Sequence, residues 1–169
     1  MSQGTFPQHY LSEASVAATP ELLFAFLDDH ARLTRHMERP SLMMAGGVFH
    51  VETDDLHGRG VGAEIRMSGA VLGVDLWVKE VVTEYLPPYS KTWETRGEPR
   101  LLVIGPYRMG FVISPRVGGS LVKVFIDYRL PERGCSRLFG RLLGDSYAGW
   151  CTRRMTQDAV ESFRIATVS

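Results

Sequence analysis

Cysteine is nearly absent from this chain, with two in 169 residues, Cys135 and Cys151. Two are too few for a disulfide scaffold, and a spacing of 16 residues matches no zinc-binding pattern. Both are expected as reduced thiols. Long apolar runs are missing as well: the longest, such as Leu42–Met43–Met44–Ala45 and Leu101–Leu102–Val103–Ile104, fall far short of the ~18 residues that cross a bilayer. Met1 to Tyr10 lacks the basic stretch and apolar stretch of a secretory leader. The expectation is a cytoplasmic protein without integral membrane contact. An excess of either charge is also lacking, since 19 Lys+Arg offset 19 Asp+Glu. That balance argues against a nucleic-acid binder, which needs a basic surplus against phosphates, and against a polybasic membrane-surface protein. What remains is a chain with 44% apolar and 22% charged residues, expected as one domain over residues 1–169. At this length a chain buries its own core. An uncharged or amphipathic small molecule is the partner this composition suits.

Periodicity divides the chain into three parts. His9 to Ala18 reads as a strand, and Thr19-Pro20-Glu21 then gives a sharp helix start: a side-chain oxygen at the cap, proline in the first turn and a carboxylate at the positive end of the dipole. Leu22, Leu23, Phe24, Phe26 and Leu27 give this short helix its apolar face. Asp28-Asp29-His30 breaks it, and Ala31 to Met37 adds a further helical turn before Pro40. Strands follow. Val48 to Thr53 is one; Val61, Ala63, Ile65 and Met67 alternate with polar or small residues in a second. Val74, Leu76, Val78, Glu80 and Val82 alternate with Asp75, Trp77, Lys79, Val81 and Thr83 in a third. Pro87-Pro88 forces a turn, and Tyr89–Thr95, Arg100–Ile113 and Ser120–Leu130 complete the set, spaced as antiparallel hairpins. After Pro131-Glu132-Arg133-Gly134 the period becomes helical: Leu138, Phe139, Leu142 and Leu143 form a short face, interrupted around Gly144-Asp145. Tyr147, Trp150, Cys151, Met155, Ala159, Val160 and Phe163 continue the stripe along Ser146–Ile165.

This β-α-α-β6-α order, with Ser15-Val16-Ala17-Ala18-Thr19-Pro20-Glu21-Leu22-Leu23-Phe24 as opening strand and helix, resembles the START/polyketide-cyclase superfamily (SRPBCC, helix-grip, pathogenesis-related-allergen-like). Val61-Gly62-Ala63-Glu64-Ile65 is similar to its third strand and Gly118-Gly119-Ser120-Leu121-Val122 to its last hairpin. Tyr147-Ala148-Gly149-Trp150-Cys151 is similar to the long helix of bacterial polyketide cyclase/dehydrase-like members. The resemblance covers about residues 9–166. It implies an α+β helix-grip fold: a curved antiparallel sheet of about seven strands wrapped around a long C-terminal helix, with a cavity between them. Members of the superfamily bind sterols, lipids, hormones or polyketide intermediates there, and some are cyclases or dehydratases. One fold hosting many functions leaves the activity open.

Trp77, Trp93, Tyr107, Tyr128, Tyr147 and Trp150 are the candidate ligand-binding aromatics, flat walls with Tyr O–H or Trp N–H handles; their plain alternative is core packing. The resemblance puts His36 and Met37 near the cavity mouth. His36 is a candidate general acid or base, against the alternative of a solvent-exposed loop histidine. Arg66, Asp75, Glu80, Arg108 and Lys123 interrupt or flank apolar strands, and any that faces inward marks a functional site. Arg108, between Tyr107 and Met109, is the first candidate. His50, Glu52 and Asp54 share a strand face, with Asp55 and His57 nearby, but an exposed polar face explains them better than a metal. Gly58-Arg59-Gly60-Val61-Gly62-Ala63 meets a relaxed dinucleotide pattern whose context fails, because a strand follows where a phosphate loop needs a helix. Charges at Arg137, Arg141 and Asp145 exclude a membrane helix around Gly140-Arg141-Leu142-Leu143-Gly144, whose glycines then serve a close approach or a bend. Cys151 is a buried structural thiol on this reading.

The function expected is binding or transport of a hydrophobic small molecule, lipid-like or aromatic, by a monomer or homodimer with no metal and no cofactor. The alternatives are a polyketide cyclase/dehydratase-like enzyme and a protein-interaction module with a vestigial cavity.

Overall fold

The computed structural model describes residues 5–29, 48–71, 73–132 and 134–166. β1 (Gln8–Val16) leads into α1 (Pro20–Leu27), and six strands follow: β2 (Val48–Thr53), β3 (Glu64–Val71), β4 (Val74–Leu86), β5 (Ser90–Thr95), β6 (Tyr107–Arg116) and β7 (Gly119–Tyr128). A single helix, α2 (Gly134–Ala166), ends the described chain. The strands form one curved antiparallel sheet of seven in the order β1-β7-β6-β5-β4-β3-β2. Every neighbouring pair except β1–β7 is a hairpin connection, so the sheet is a meander closed by the first strand returning to the last. The second helical turn expected over Ala31–Met37 falls outside the described residues.

Local chemistry accounts for the elements. Thr19 caps α1 by accepting the Leu22 N–H, Pro20 stands in the first turn, and Asp28 closes the helix with its backbone N–H on the Phe24 carbonyl. In each strand one parity faces the concave side. Val122, Val124 and Ile126 of β7 oppose Ala14, Ser12 and Tyr10 of β1, while Phe111 and Met109 of β6 oppose Lys91 and Trp93 of β5. Phe24 brings α1 onto this face, stacking edge-on against Phe111 at 5.5 Å and Tyr85 at 5.6 Å. Leu23, Leu27, Phe111, Val122 and Ile65 are fully buried there. Each is worth roughly 1.5–3 kcal/mol of transfer free energy.

Two findings differ from the sequence reading, and a third adds to it. The strand expected from Arg100 begins only at Tyr107. Arg100 pairs alone with Trp77, and Gly105-Pro106 then turns the chain, with the Gly105 N–H on the Arg129 carbonyl at 2.8 Å. Proline cannot donate into a ladder, so Pro106 delimits the strand. The long helix is not interrupted at Gly144-Asp145 but runs unbroken for 33 residues. Its glycines serve close approach. A Cβ on Gly140 would lie 2.6 Å from Pro131 Cδ, on Gly144 2.9 Å from Leu130 Cδ2, and on Gly149 2.8 Å from the Tyr10 ring. Contact energy against β1, β7 and the segment after β7 outweighs the ~1 kcal/mol helix penalty of each glycine. Lastly, the β4–β5 register shifts between Val82 and Glu84, so the inward parity changes along β4.

The β6–β7 hairpin depends on two adjacent glycines. Gly118 has φ +79°, a left-handed conformation, and a Cβ on Gly119 would fall 2.2 Å from the Val16 carbonyl oxygen. Gly119→Ala therefore forces the β1 end away from β7. The expected cost is about 1–3 kcal/mol, read as a lower urea midpoint with an unchanged m-value.

Candidate functional site

The register shift determines what the concave face displays. Before it, Leu76, Val78, Glu80 and Val82 point inward; after it, Tyr85 does, beside its β5 partner Lys91. Two side chains that ordinarily carry a charge thus enter the inner wall of the sheet. Glu80 is 2% exposed and Lys91 0%.

Glu80 sits in a hydrogen-bonded group. The Tyr107 hydroxyl donates to Glu80 Oε1, and the Trp93 indole also bonds this carboxyl. Burial nonetheless dominates, and it pushes the Glu80 carboxyl up to about 7 against the opposing pull of Tyr107, Trp93 and Lys91. Burial also holds Tyr107 well above its usual value, aided by the neighbouring Glu80 charge. From α2, Tyr147 and Cys151 come within electrostatic reach of Tyr107. The two are hydrogen-bonded one helical turn apart, and burial raises the Cys151 thiol to about 12. A thiol held so far from its thiolate is not a nucleophile at neutral pH.

Lys91 belongs to a second group, at the C-terminal end of α1. Its Nζ lies 2.6 Å from Asp28 Oδ1, the Tyr85 hydroxyl donates to Asp28 Oδ2 at 2.9 Å, and Arg59 Nε stands 3.4 Å from the same oxygen. The ammonium also lies 5.7 Å from the centre of the Tyr85 ring. Burial pushes the Lys91 ammonium down from its usual value, while Asp28 pulls it up. Burial likewise raises Tyr85 to about 12, with the hydrogen bond to Asp28 adding to it. Asp28 thus joins α1, the sheet and the β2–β3 loop at one point.

α2 packs on β1 and β7. Ser12 Oγ meets Thr156 Oγ1 at 3.0 Å, and the Tyr128 hydroxyl donates to Asp145. At one end of the sheet the β5–β6 connection and the segment after β7 line a groove of about 450 Å³. Glu98, Arg100, Arg129 and Glu132 give its wall four charges and it has no aromatic residue, unlike the concave face.

This architecture recurs in solved structures at low identity. TTHA0849 from Thermus thermophilus is 16% identical, with a TM-score of 0.63 over 96% of this chain and 100% of that one. Norcoclaurine synthase from Thalictrum flavum, in complex with dopamine and hydroxybenzaldehyde, is 14% identical with a TM-score of 0.61, covering 94% of this chain and 87% of that one. The di-domain ARO/CYC StfQ from the steffimycin biosynthetic pathway is 13% identical with a TM-score of 0.59, covering 91% of this chain and 50% of that two-domain chain. The fold these structures share with this chain is the helix-grip fold. No protein-family model matches the sequence, and no curated protein does.

Within the helix-grip fold the sequence candidates divide. Trp93, Tyr107 and Tyr128 face inward and are buried. Tyr147 and Trp150 are half-buried on α2, their rings 6.0 Å apart. Trp77 is 45% exposed, on the opposite face of β4, where its backbone pairs with Arg100. Arg108 is not the inward charge. It lies on the outer face of β6, where its guanidinium binds Asp127 Oδ2 at 2.7 Å and faces the Phe6 ring. His9 Nδ1 meets the other oxygen of Asp127 at 2.5 Å. His36 and Met37 fall outside the described residues. Asp54, grouped with His50 and Glu52 on a polar strand face, accepts the backbone N–H groups of Leu56 and Glu64 and shapes the β2–β3 turn. Among the described residues no group of three His, Cys, Asp or Glu side chains is placed to hold a metal, and no helix is long and apolar enough to cross a membrane.

Lys91, Tyr85 and Asp28 are the members of the site that sequence reasoning missed. A signal existed for Lys91: it stands two residues before Trp93 and so shares its strand face. Asp28 reads from sequence only as a helix breaker.

Proposed function

We propose that this chain binds a hydrophobic, ring-containing or lipid-like small molecule against the concave face of the sheet. The observation that carries this reading is the buried Glu80–Tyr107–Trp93 group, a polar handle set in a wall of Val78, Val82, Met109 and Ile126. A pocket of mostly apolar walls with a few converging polar groups is the usual form of a small-molecule site. The four-charge groove beside Arg129 lacks this character.

The probe is 2-naphthol, two fused rings with one hydroxyl for the handle. Tryptophan emission is expected to be quenched saturably at 1:1 stoichiometry, with Glu80→Ala weakening binding about tenfold through loss of a charge-assisted or neutral hydrogen bond. Quenching that rises linearly to the solubility limit of 2-naphthol overturns the binding reading. A catalytic reading is favoured by the same pair, because a carboxyl near neutrality both gives and takes a proton at working pH. On that reading Glu80 and Tyr107, rather than Arg108, are the acid/base groups of a cyclase- or dehydratase-like step.

A further inference from the structure

Lysine is scarce in this protein. Of its 19 Lys+Arg residues only Lys79, Lys91 and Lys123 are lysines. Lys79 and Lys123 are partly exposed and pair with Glu64 and Glu13, ordinary positions for a solvated cation. Lys91 is buried completely, on the face where the ligand is placed by the reading above. A chain that meets its other needs for positive charge chiefly with arginine has a primary amine at the most buried cationic position among the described residues. An arginine fork would hold Asp28 at least as well, through two parallel hydrogen bonds. What an arginine cannot do is form a carbon–nitrogen double bond with a carbonyl compound.

The surroundings of the amine suit that reaction. Asp28 lies within proton-transfer distance at 2.6 Å, and Tyr85 fixes the second carboxylate oxygen at 2.9 Å. Rings flank the position: Tyr85 opposes Lys91 across β4–β5, Phe111 opposes it across β5–β6, and Phe24 and Trp93 stack edge-on against Phe111. We propose that Lys91 is a covalent capture site, whose amine condenses reversibly with an aromatic aldehyde or ketone to form an imine. The proposal rests on the interior binding reading, since the carbonyl compound has to reach the concave face.

The proton balance closes within the cluster. Asp28 takes a proton from the Lys91 ammonium, and the freed nitrogen lone pair attacks the carbonyl carbon while the C=O π pair moves to oxygen. Asp28 returns its proton to that oxygen and takes another from the now cationic nitrogen, leaving a neutral carbinolamine. Protonated by Asp28, the hydroxyl departs as water as the nitrogen lone pair forms the C=N bond. The net change is ammonium plus carbonyl compound to iminium plus water, with Asp28 ionised at both ends. Burial of the ammonium favours the first transfer.

The experiment treats the full chain with 2-naphthaldehyde and sodium borohydride, which reduces an iminium to a stable amine, and maps the adduct by peptide mass spectrometry. The expected result is a single addition at Lys91, at least about tenfold faster than at Lys79, Lys123 or the amino terminus. Lys91→Arg keeps the cation beside Asp28 and is expected to lose that adduct, with labelling of Lys79 and Lys123 unchanged. Adducts confined to Lys79, Lys123 and the amino terminus, in wild-type protein that binds 2-naphthol saturably, overturn the imine proposal and leave the binding reading standing. Failure to bind either probe overturns both. The wild-type labelling pattern decides the matter even if Lys91→Arg does not fold.

Discussion

Asp28→Ala is expected to lower the unfolding free energy by about 3–5 kcal/mol, among the largest effects available from a single polar substitution in this chain. The carboxylate accepts from Lys91 at 2.6 Å and from Tyr85 at 2.9 Å. Its removal leaves a completely buried ammonium beside Tyr85 and Phe111 with its main counter-charge gone. At an m-value of about 2 kcal/mol/M the urea midpoint falls by roughly 2 M. Two controls separate the cost of an orphaned charge from that of a lost contact. Adding Lys91→Met to Asp28→Ala removes the orphan and is expected to restore most of the loss, because a buried pair replaced by apolar side chains is often neutral or better. Asp127→Ala removes an outer-face carboxylate whose partners His9 and Arg108 are themselves half exposed, so about 1 kcal/mol or less is expected there. Equal losses for Asp28→Ala and Asp127→Ala would show that the Asp28 pair is solvated, and the capture chemistry assigned to Lys91 would lose its footing.

How far the sequence announced this site depends on the distance over which each residue's environment is set. The capped start of α1 is local chemistry in Thr19-Pro20-Glu21, and it holds in the structure. The alternation along β4 is local too, and it already placed Glu80 in phase with Leu76, Val78 and Val82. Glu80 was therefore legible as the inward charge, more so than Arg108, whose neighbours Tyr107 and Met109 are both buried and so put it on the opposite face. Tyr85 was not legible. The extra residue between Val82 and Glu84 exists only in the pairing of β4 with β5, and a parity count through it turns every later side chain the wrong way. Asp28 is read correctly as the end of a helix, yet its function comes from Lys91, 63 residues further on. Gly144 misled for a related reason: intrinsic propensity argues for a break, but the close approach of Leu130 reverses the balance.

The second large effect follows from Glu80 and separates a binding handle from a structural charge. Its carboxyl has an ordinary value of 4.5 and rises to about 7 in the folded chain, with burial as the leading cause. Between those values the native state holds a proton that the unfolded chain has released. By linkage, stability then falls as pH rises through this window, and the stabilising effect of the neutral form is complete only below about 4.5. At 1.36 kcal/mol per pH unit the total is roughly 3 kcal/mol. Glu80→Gln keeps an acceptor for the Tyr107 hydroxyl and cannot ionise. It is expected to match wild type near pH 4.5 and to exceed it by about 3 kcal/mol at pH 8.5, measured by urea unfolding at each pH. The difference between the two profiles isolates this group from carboxylates such as Asp127, whose partners hold it below its ordinary value despite burial. Parallel profiles, with Glu80→Gln the weaker protein at pH 8.5, would mean that Lys91, Tyr107 and Trp93 together hold Glu80 ionised at all these pH values. In the expected case the handle changes character within the physiological range. Below pH 7 it is a neutral carboxylic acid, able to donate a hydrogen bond to a carbonyl or phenol oxygen on an apolar ligand. Above it, a buried carboxylate remains that only a donor or a cation satisfies.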